Sequence, residues 1–240
     1  MSAGVSARRR RETSLTVATA LLWLSAASSA LAQVSGSMTL LSDYRERGVS
    51  LSDGKPAAQA GIGFDHDSGW YAGVTGSTVD FGDHPPSVLY AVVYAGFARR
   101  AGPVLSWDAG ASFAAVPGGE YDYAEIHAGL MFDKVSTRVS YAPNYFGQSI
   151  RAIYAEANAA LPVRERWTLV GHAGALRLLP RGDGPAIGTT RFDVRAGVER
   201  DFDWARLQVA WVASSSTAAL YPVRRGQSRS TIVVSVSHVF

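Results

Sequence analysis

Glu125 and His127 are separated by a single residue, so on a β-strand they share a face and could serve as an acid–base pair. Hydrolysis built on such a pair also needs a hydroxyl nucleophile beside the histidine, and no serine is marked out by a nucleophile motif. The expectation is therefore a protein that is not an enzyme. The five histidines are scattered, without an i,i+2 or i,i+4 pair, so no metal site is expected; with no cysteine there is neither a thiolate ligand nor a disulfide, and nothing calls for a cofactor. The other chemistry on offer is fixed charge. Arg191, Asp193, Arg195 and Glu199 share one face of a segment, with Arg206 and Gln208 on the next, and Arg138 stands on a polar face of its own. The arginines favour anions, the carboxylates offset them, and the sign of the preference stays open.

The elements that would carry these residues are strands. Trp70, Ala72 and Val74 oppose Tyr71, Thr75 and Ser77; Trp107, Ala109, Ala111 and Phe113 oppose Ser106, Asp108 and Ser112. Val135, Val139 and Tyr141 oppose Ser136, Arg138 and Ser140, and Phe192, Val194, Ala196 and Val198 oppose the charged face of 191–199. With less regular runs near 37–45, 56–65, 88–97, 121–132, 150–161 and 167–176, and alternating runs at 206–211 and 230–240, about twelve strands of roughly ten residues result. No sustained helical periodicity interrupts them.

The connections alternate in length. Asp65–Ser68, Arg99–Pro103, Phe132–Lys134 and Arg200–Asp203 read as tight turns; residues 46–55, 80–87, 177–189 and 214–229 read as long loops. Short turns at one end and longer loops at the other are the habit of membrane barrels, and a sheet facing lipid must close, because unpaired backbone groups in hydrocarbon cost several kcal/mol each. The fold expected is all-β: an up-and-down antiparallel transmembrane β-barrel, with short periplasmic turns and longer extracellular loops. Aromatic residues near segment ends (Trp70, Trp107, Tyr141, Trp167, Trp204, Tyr221) suit interfacial girdles.

Parity then sends Asp108, Glu125, His127, Arg138, Tyr154, Glu156, His172, Arg191, Asp193, Arg195, Glu199, Arg206 and Gln208 into the lumen, because an arginine facing lipid at the midplane costs about 2–4 kcal/mol. Such charges either pair into a plug or line a wet channel. Arg191 and Arg195, with Arg206 on the next strand, are the strongest local basic cluster. In the first long loop, Arg45, Glu46, Arg47, Asp53 and Lys55 flank a Ser/Gly-rich turn. That loop either folds inward to narrow the pore, with Arg47 and Asp53 as a pair across it, or stabilises itself through Asp53-Gly54 turn chemistry with its charges solvated. Arg181-Gly182-Asp183 is turn composition in a Gly/Pro loop.

Residues 1–32 read as a cleaved signal peptide: Arg8–Arg11, an apolar run from Leu15 to Leu24, and the small-x-small site Ala30-Leu31-Ala32. Residues 33–240 then form a single barrel domain. The leader takes four arginines and Glu12 with it, so 23 basic and 20 acidic residues become 19 and 19, and a nucleic-acid partner loses its support.

The last eleven residues alternate and stop on Phe240. This resembles the C-terminal signature of Gram-negative outer-membrane barrels, which implies that the Phe240 strand closes the barrel and engages the barrel assembly machinery. Near the other end, Ser42, Asp43, Tyr44, Arg47, Gly48, Ser50, Ser52, Asp53, Gly54, Pro56 and Ala57 fit the pattern S-D-Y-x-x-R-G-x-S-x-S-D-G-x-P-A. The stretch resembles the opening of the TorF-family porins, also described as the Gcw_chp family of proteobacterial proteins. Glu46 departs from it, standing where an aromatic or apolar residue is expected. The resemblance implies a porin in the cell outer membrane, passing small solutes or ions and surrounded by outer-membrane lipid. A closed structural or adhesive barrel and, behind it, a lipid-processing barrel enzyme remain alternatives; the oligomeric state stays open.

Overall fold

A computed structural model describes residues 32–81, 88–119, 121–179, 190–215 and 227–240. The expected leader up to residue 31, the Arg181-Gly182-Asp183 tripeptide and Tyr221 fall outside the described residues. β1 (Ala32–Leu41) is followed by a small hairpin, β2 (Arg45–Glu46) and β3 (Val49–Ser50). Then come β4 (Ala57–His66), β5 (Trp70–Val79), β6 (Val88–Arg100), β7 (Leu105–Ala115), β8 (Tyr123–Phe132) and β9 (Val135–Ala142). A 3-10 turn at Tyr145–Gly147 leads to β10 (Arg151–Arg164), β11 (Trp167–Leu179), β12 (Thr190–Asp201), β13 (Arg206–Ser214) and β14 (Ser230–Val239).

β1 and β4 through β14 form a closed barrel of twelve strands, each paired with its sequence neighbour, and β1 closes on β14. Residues 33–240 constitute one compact unit. At the closure Ser37 pairs with Val239 and Leu41 with Ser235. Beyond that ladder, the Phe240 amide donates to the Gly36 carbonyl at 3.0 Å and the Gly36 amide to the Phe240 carbonyl at 2.8 Å. The Phe240 ring lies over Gly36, where a Cβ would come within 2.4 Å of it, so only glycine admits the ring there.

The alternation read from sequence is the alternation of the wall. Met38, Leu40, Ile62, Trp70, Val93, Ile126, Val139, Phe192 and Ile232 are exposed on the outside, while Tyr71, Glu125, Arg138 and Asp193 point inward from strands among the same set. An apolar exterior over a polar interior is the arrangement that lipid outside and water inside impose. On the outer face, aromatic rings meet at the short-turn end: Trp70 lies 5.3 Å from Phe97 between centroids, and Phe97 5.8 Å from Trp107. Two-residue turns at 133–134 and 165–166 use Asp133 (φ 52°) and Arg166 (φ 62°) in the left-handed region that such hairpins require.

The largest boundary difference from expectation is in the first strand. The first strand covers Ala32–Leu41 instead of 37–45, and Arg45 belongs to the small hairpin. Ser42 ends the ladder by donating its amide to the Val234 carbonyl at 2.8 Å, while its hydroxyl accepts from the Val234 amide at 3.0 Å. Beyond it, the Asp43 carboxylate accepts from the hydroxyls of Ser50 and Ser52, turning residues 42–56 back into the barrel.

Candidate functional site: a hairpin seated in a charged lumen

The hairpin closes on itself before it meets the wall. The Leu51 amide donates to the Tyr44 carbonyl at 2.7 Å, and the Tyr44 amide to the Ser52 hydroxyl at 2.9 Å. Arg47 and Gly48 hold positive φ (49° and 78°) between β2 and β3, and Asp53 and Gly54 (56° and 71°) make the second reversal. Gly48 is pressed against the far wall: a Cβ there would fall 2.7 Å from the Ser214 Cβ and 2.8 Å from the Asp193 Cβ.

Across the lumen, Arg47 reaches β8. One guanidinium nitrogen lies 2.7 Å from each carboxylate oxygen of Glu125, and the group stacks over the Tyr154 ring at 4.4 Å and near the Tyr145 ring at 5.2 Å. Charge-assisted hydrogen bonding with an aromatic face behind the cation suits arginine better than lysine. The fixed pair of the loop is therefore Arg47 with Glu125. Asp53, the partner offered to Arg47 if the loop narrows the pore, turns with Gly54 toward Lys55, whose Nζ is 3.6 Å from Asp53 and 2.6 Å from Asp80. Glu46 sits inside, where the Tyr123 hydroxyl donates to its carboxylate at 3.1 Å. Burial pushes the Glu46 carboxyl up, Glu125 adds to that, and Arg47 opposes it.

Around this hairpin the long-loop end of the barrel is filled. Leu51, Val79, Tyr90, Tyr123, Tyr145, Phe146, Leu176 and Leu178 form a buried cluster inside the wall. Phe146 holds φ 48° and ψ 38°, a strained conformation for a bulky residue, costing about 1–3 kcal/mol. Complete burial of its ring, 4.8 Å from Tyr123 and 4.9 Å from Tyr145, offsets the strain.

Beneath the hairpin lies a cavity of about 610 Å³ lined by Arg47, Glu125, His127, Arg138, Glu156, Asp193 and Arg195 among others. Most of its charges are tied. Arg138 donates to Asp108 at 3.1 Å, Tyr71 donates to Asp108 at 3.2 Å, and His127 Nε2 lies 3.1 Å from the same carboxylate. On the opposite wall His172 lies 2.7 Å from Asp193 and 2.7 Å from Asn158, with Tyr154 at 3.0 Å. Arg195 faces the cavity exposed and, among the described residues, makes no ion pair. Glu125 and His127, adjacent on one face, hold separate partners.

The remaining candidates lie away from the cavity. Arg206 is at the short-turn end, 3.1 Å from Glu199 and 2.7 Å from Asp201. Register sets Arg206 opposite Asp201, ten residues along β12 from Arg191 or roughly 33 Å. Arg191, Arg195 and Arg206 are thus strung along the lumen and do not form one cluster. A Ser–His contact of the kind lipid hydrolysis needs is present at Ser68 and His66 (2.7 Å). The same His66 nitrogen accepts the Ser68 amide at 3.1 Å, so this is the closing bond of a tight turn. Sequence reasoning missed Tyr90, Tyr145 and Phe146, and gave Asp43 a place in the family pattern but no role. The one signal available was Val49 and Leu51, two apolar residues alternating inside a charged loop.

The fold has known counterparts. A KdgM porin superposes with a TM-score of 0.54 at 11% identity, over 88% of this chain and 99% of that one. A NanC porin gives 0.55 at 8% identity, over 86% and 98%, and a KdgM porin in complex with disordered oligogalacturonate gives 0.52 at 11%, over 88% and 99%. At these identities the likeness is one of fold. No curated protein matches the chain by sequence. The family model described as a bacterial protein of unknown function, Gcw_chp, matches residues 25–240, and the chain belongs to the Gcw_chp family.

Proposed function

We propose that this protein is a porin-like channel of the bacterial outer membrane, of the TorF type that its first hairpin resembles, admitting small solutes or ions by passive diffusion. The observation that carries the reading is the polar cavity of about 610 Å³ enclosed by a wall whose outer face is apolar. Fixed charges around a wet lumen set ion preference, and the width left by the hairpin sets the size limit. Arg195, exposed in the cavity, is the cation offered to a passing solute, while Arg138, Glu125 and Asp193 hold the wall in shape; Glu199 and Arg206 flank the short-turn mouth. In this reading the leader of residues 1–32 exports the chain, and the Phe240 strand engages the assembly machinery.

The buried cluster around residues 42–56 favours a second reading, a structural barrel whose lumen is permanently plugged. Liposome swelling separates the two. The full chain, purified from the membrane fraction and reconstituted, should admit small sugars and amino acids at rates that fall with solute size. Vesicles that contain folded barrel yet exclude even the smallest solute would favour the plug.

A further inference from the structure

The hairpin closes the lumen unevenly. On the flank facing β5 to β11 the seal is apolar and aromatic: Leu51, Val79, Tyr90, Tyr123, Phe146 and Leu178 are each no more than 5% exposed. On the flank facing β13 and β14 the contacts among the described residues are mainly polar, beside the close approach of Gly48 to Ser214. There the Arg45 guanidinium is held by the Asp43 carboxylate at 2.6 Å, the Gly48 carbonyl at 3.0 Å and the Ser228 carbonyl at 3.1 Å. Two cavities meet on this flank. Asp43 and Arg45 stand in the wall of the large lumen cavity, and both also line a second cavity of about 320 Å³. The second cavity lies between the hairpin, at Ser50 and Asp53, and the approach to β14, at Gln227 and Ser228.

We propose that the permeation path crosses the hairpin here, with the Arg45–Asp43 pair as its constriction and selectivity element for small ions and polar solutes. The assignment rests on the channel reading. Opening the apolar flank exposes core aromatics to water, whereas opening the polar flank exchanges hydrogen bonds for water: those of the Arg45 side chain to its three acceptors and that of the Gln227 amide to the Ser50 carbonyl. The two members of the pair carry opposite charge, so each alone biases the path in the opposite direction.

The chain contains no cysteine, so Arg45→Cys introduces its single thiol. Single-channel currents are recorded for the full-length wild type, Arg45→Ala, Asp43→Asn and Arg45→Cys, with Leu178→Cys as the control on the sealed flank. Folding of each barrel is checked by heat-modifiable mobility. Arg45→Ala should raise conductance about twofold or more and shift the reversal potential in a KCl gradient toward cations, and Asp43→Asn should shift it toward anions. A charged methanethiosulfonate should step down the current of Arg45→Cys and leave that of Leu178→Cys unchanged.

Shifts of the same sign in both variants, or a reagent that acts at Leu178→Cys and not at Arg45→Cys, overturn this path while the currents themselves uphold the channel. A silent wild type with a conducting Arg45→Ala supports the path as a closed gate. If both are silent and a deletion of residues 43–55 conducts, the path is wrong and the channel stands. If the deletion is silent as well, both fall.

Discussion

Glu46 holds a carboxyl where the family pattern leads one to expect an apolar side chain, and its surroundings explain how. It faces Arg47 and the Tyr44 hydroxyl on its own hairpin, Tyr123 and Glu125 from β8, and Tyr90 from β6. Seating the hairpin raises this carboxyl above its ordinary range through burial, so the seated form binds a proton more readily than a released one. The sign follows by linkage. The stabilising contribution is complete below the ordinary carboxylate range and is lost as pH rises through the raised value. Acidification should therefore hold the hairpin down and lower the conductance, and raising the pH should relax it. Glu46→Gln should flatten that dependence; a wild-type pH profile that is unchanged in Glu46→Gln contradicts this role. The Arg47–Glu125 pair, both side chains largely buried, makes a second prediction. Glu125→Ala leaves a buried guanidinium without its carboxylate and should cost about 3–5 kcal/mol, read as a lower urea midpoint, with Arg47→Met/Glu125→Leu less damaging than either single change. None of this was legible in local spacing. Arg47 and Glu125 are 78 residues apart, and only closure of the barrel brings them together.

At the scale of elements, alternation made the strands readable because one face of each meets lipid and the other a polar lumen, the condition under which a period of two is written most clearly. Parity for that reason put Asp108, Glu125, Arg138 and Asp193 on the inner face. Residues 42–56 were harder to read, since their burial is against the inside of a barrel rather than within a sheet, and a loop rich in charge looks solvated. Gly48 tests the seating. Gly48→Val adds atoms into the 2.7–2.8 Å gap to Ser214 and Asp193 and places a β-branched residue at φ 78°. The hairpin should lift, giving faster proteolysis at residues 45–55 and larger, noisier conductance in an otherwise intact barrel; an unchanged cleavage pattern would count against close seating. Gly36 tests closure in the same way. Gly36→Val removes the place of the Phe240 ring and should lower the yield of heat-modifiable barrel, whereas Gly171→Ala, with nothing within 4 Å and no left-handed φ, should be far milder.

For the molecule as a whole, the wall and its contents make different demands. The wall needs only closure, an apolar exterior and matched register, and these came through in composition and alternation. The contents, a cavity of about 610 Å³ below a hairpin that spans the lumen, depend on contacts among β6, β8, β10, β12 and the hairpin that no single segment announces. A twelve-stranded barrel is wider than the eight-stranded barrels that side chains alone can fill, so a folded-in segment is the means by which this one narrows. The most direct test of a narrowed channel is the single-channel conductance of the full chain, purified from the membrane fraction, in a planar bilayer across a range of KCl concentrations. Discrete steps that grow with salt are predicted, small in the wild type and larger when residues 43–55 are deleted. Silence from both, with the barrel shown to be folded and inserted, would contradict the channel.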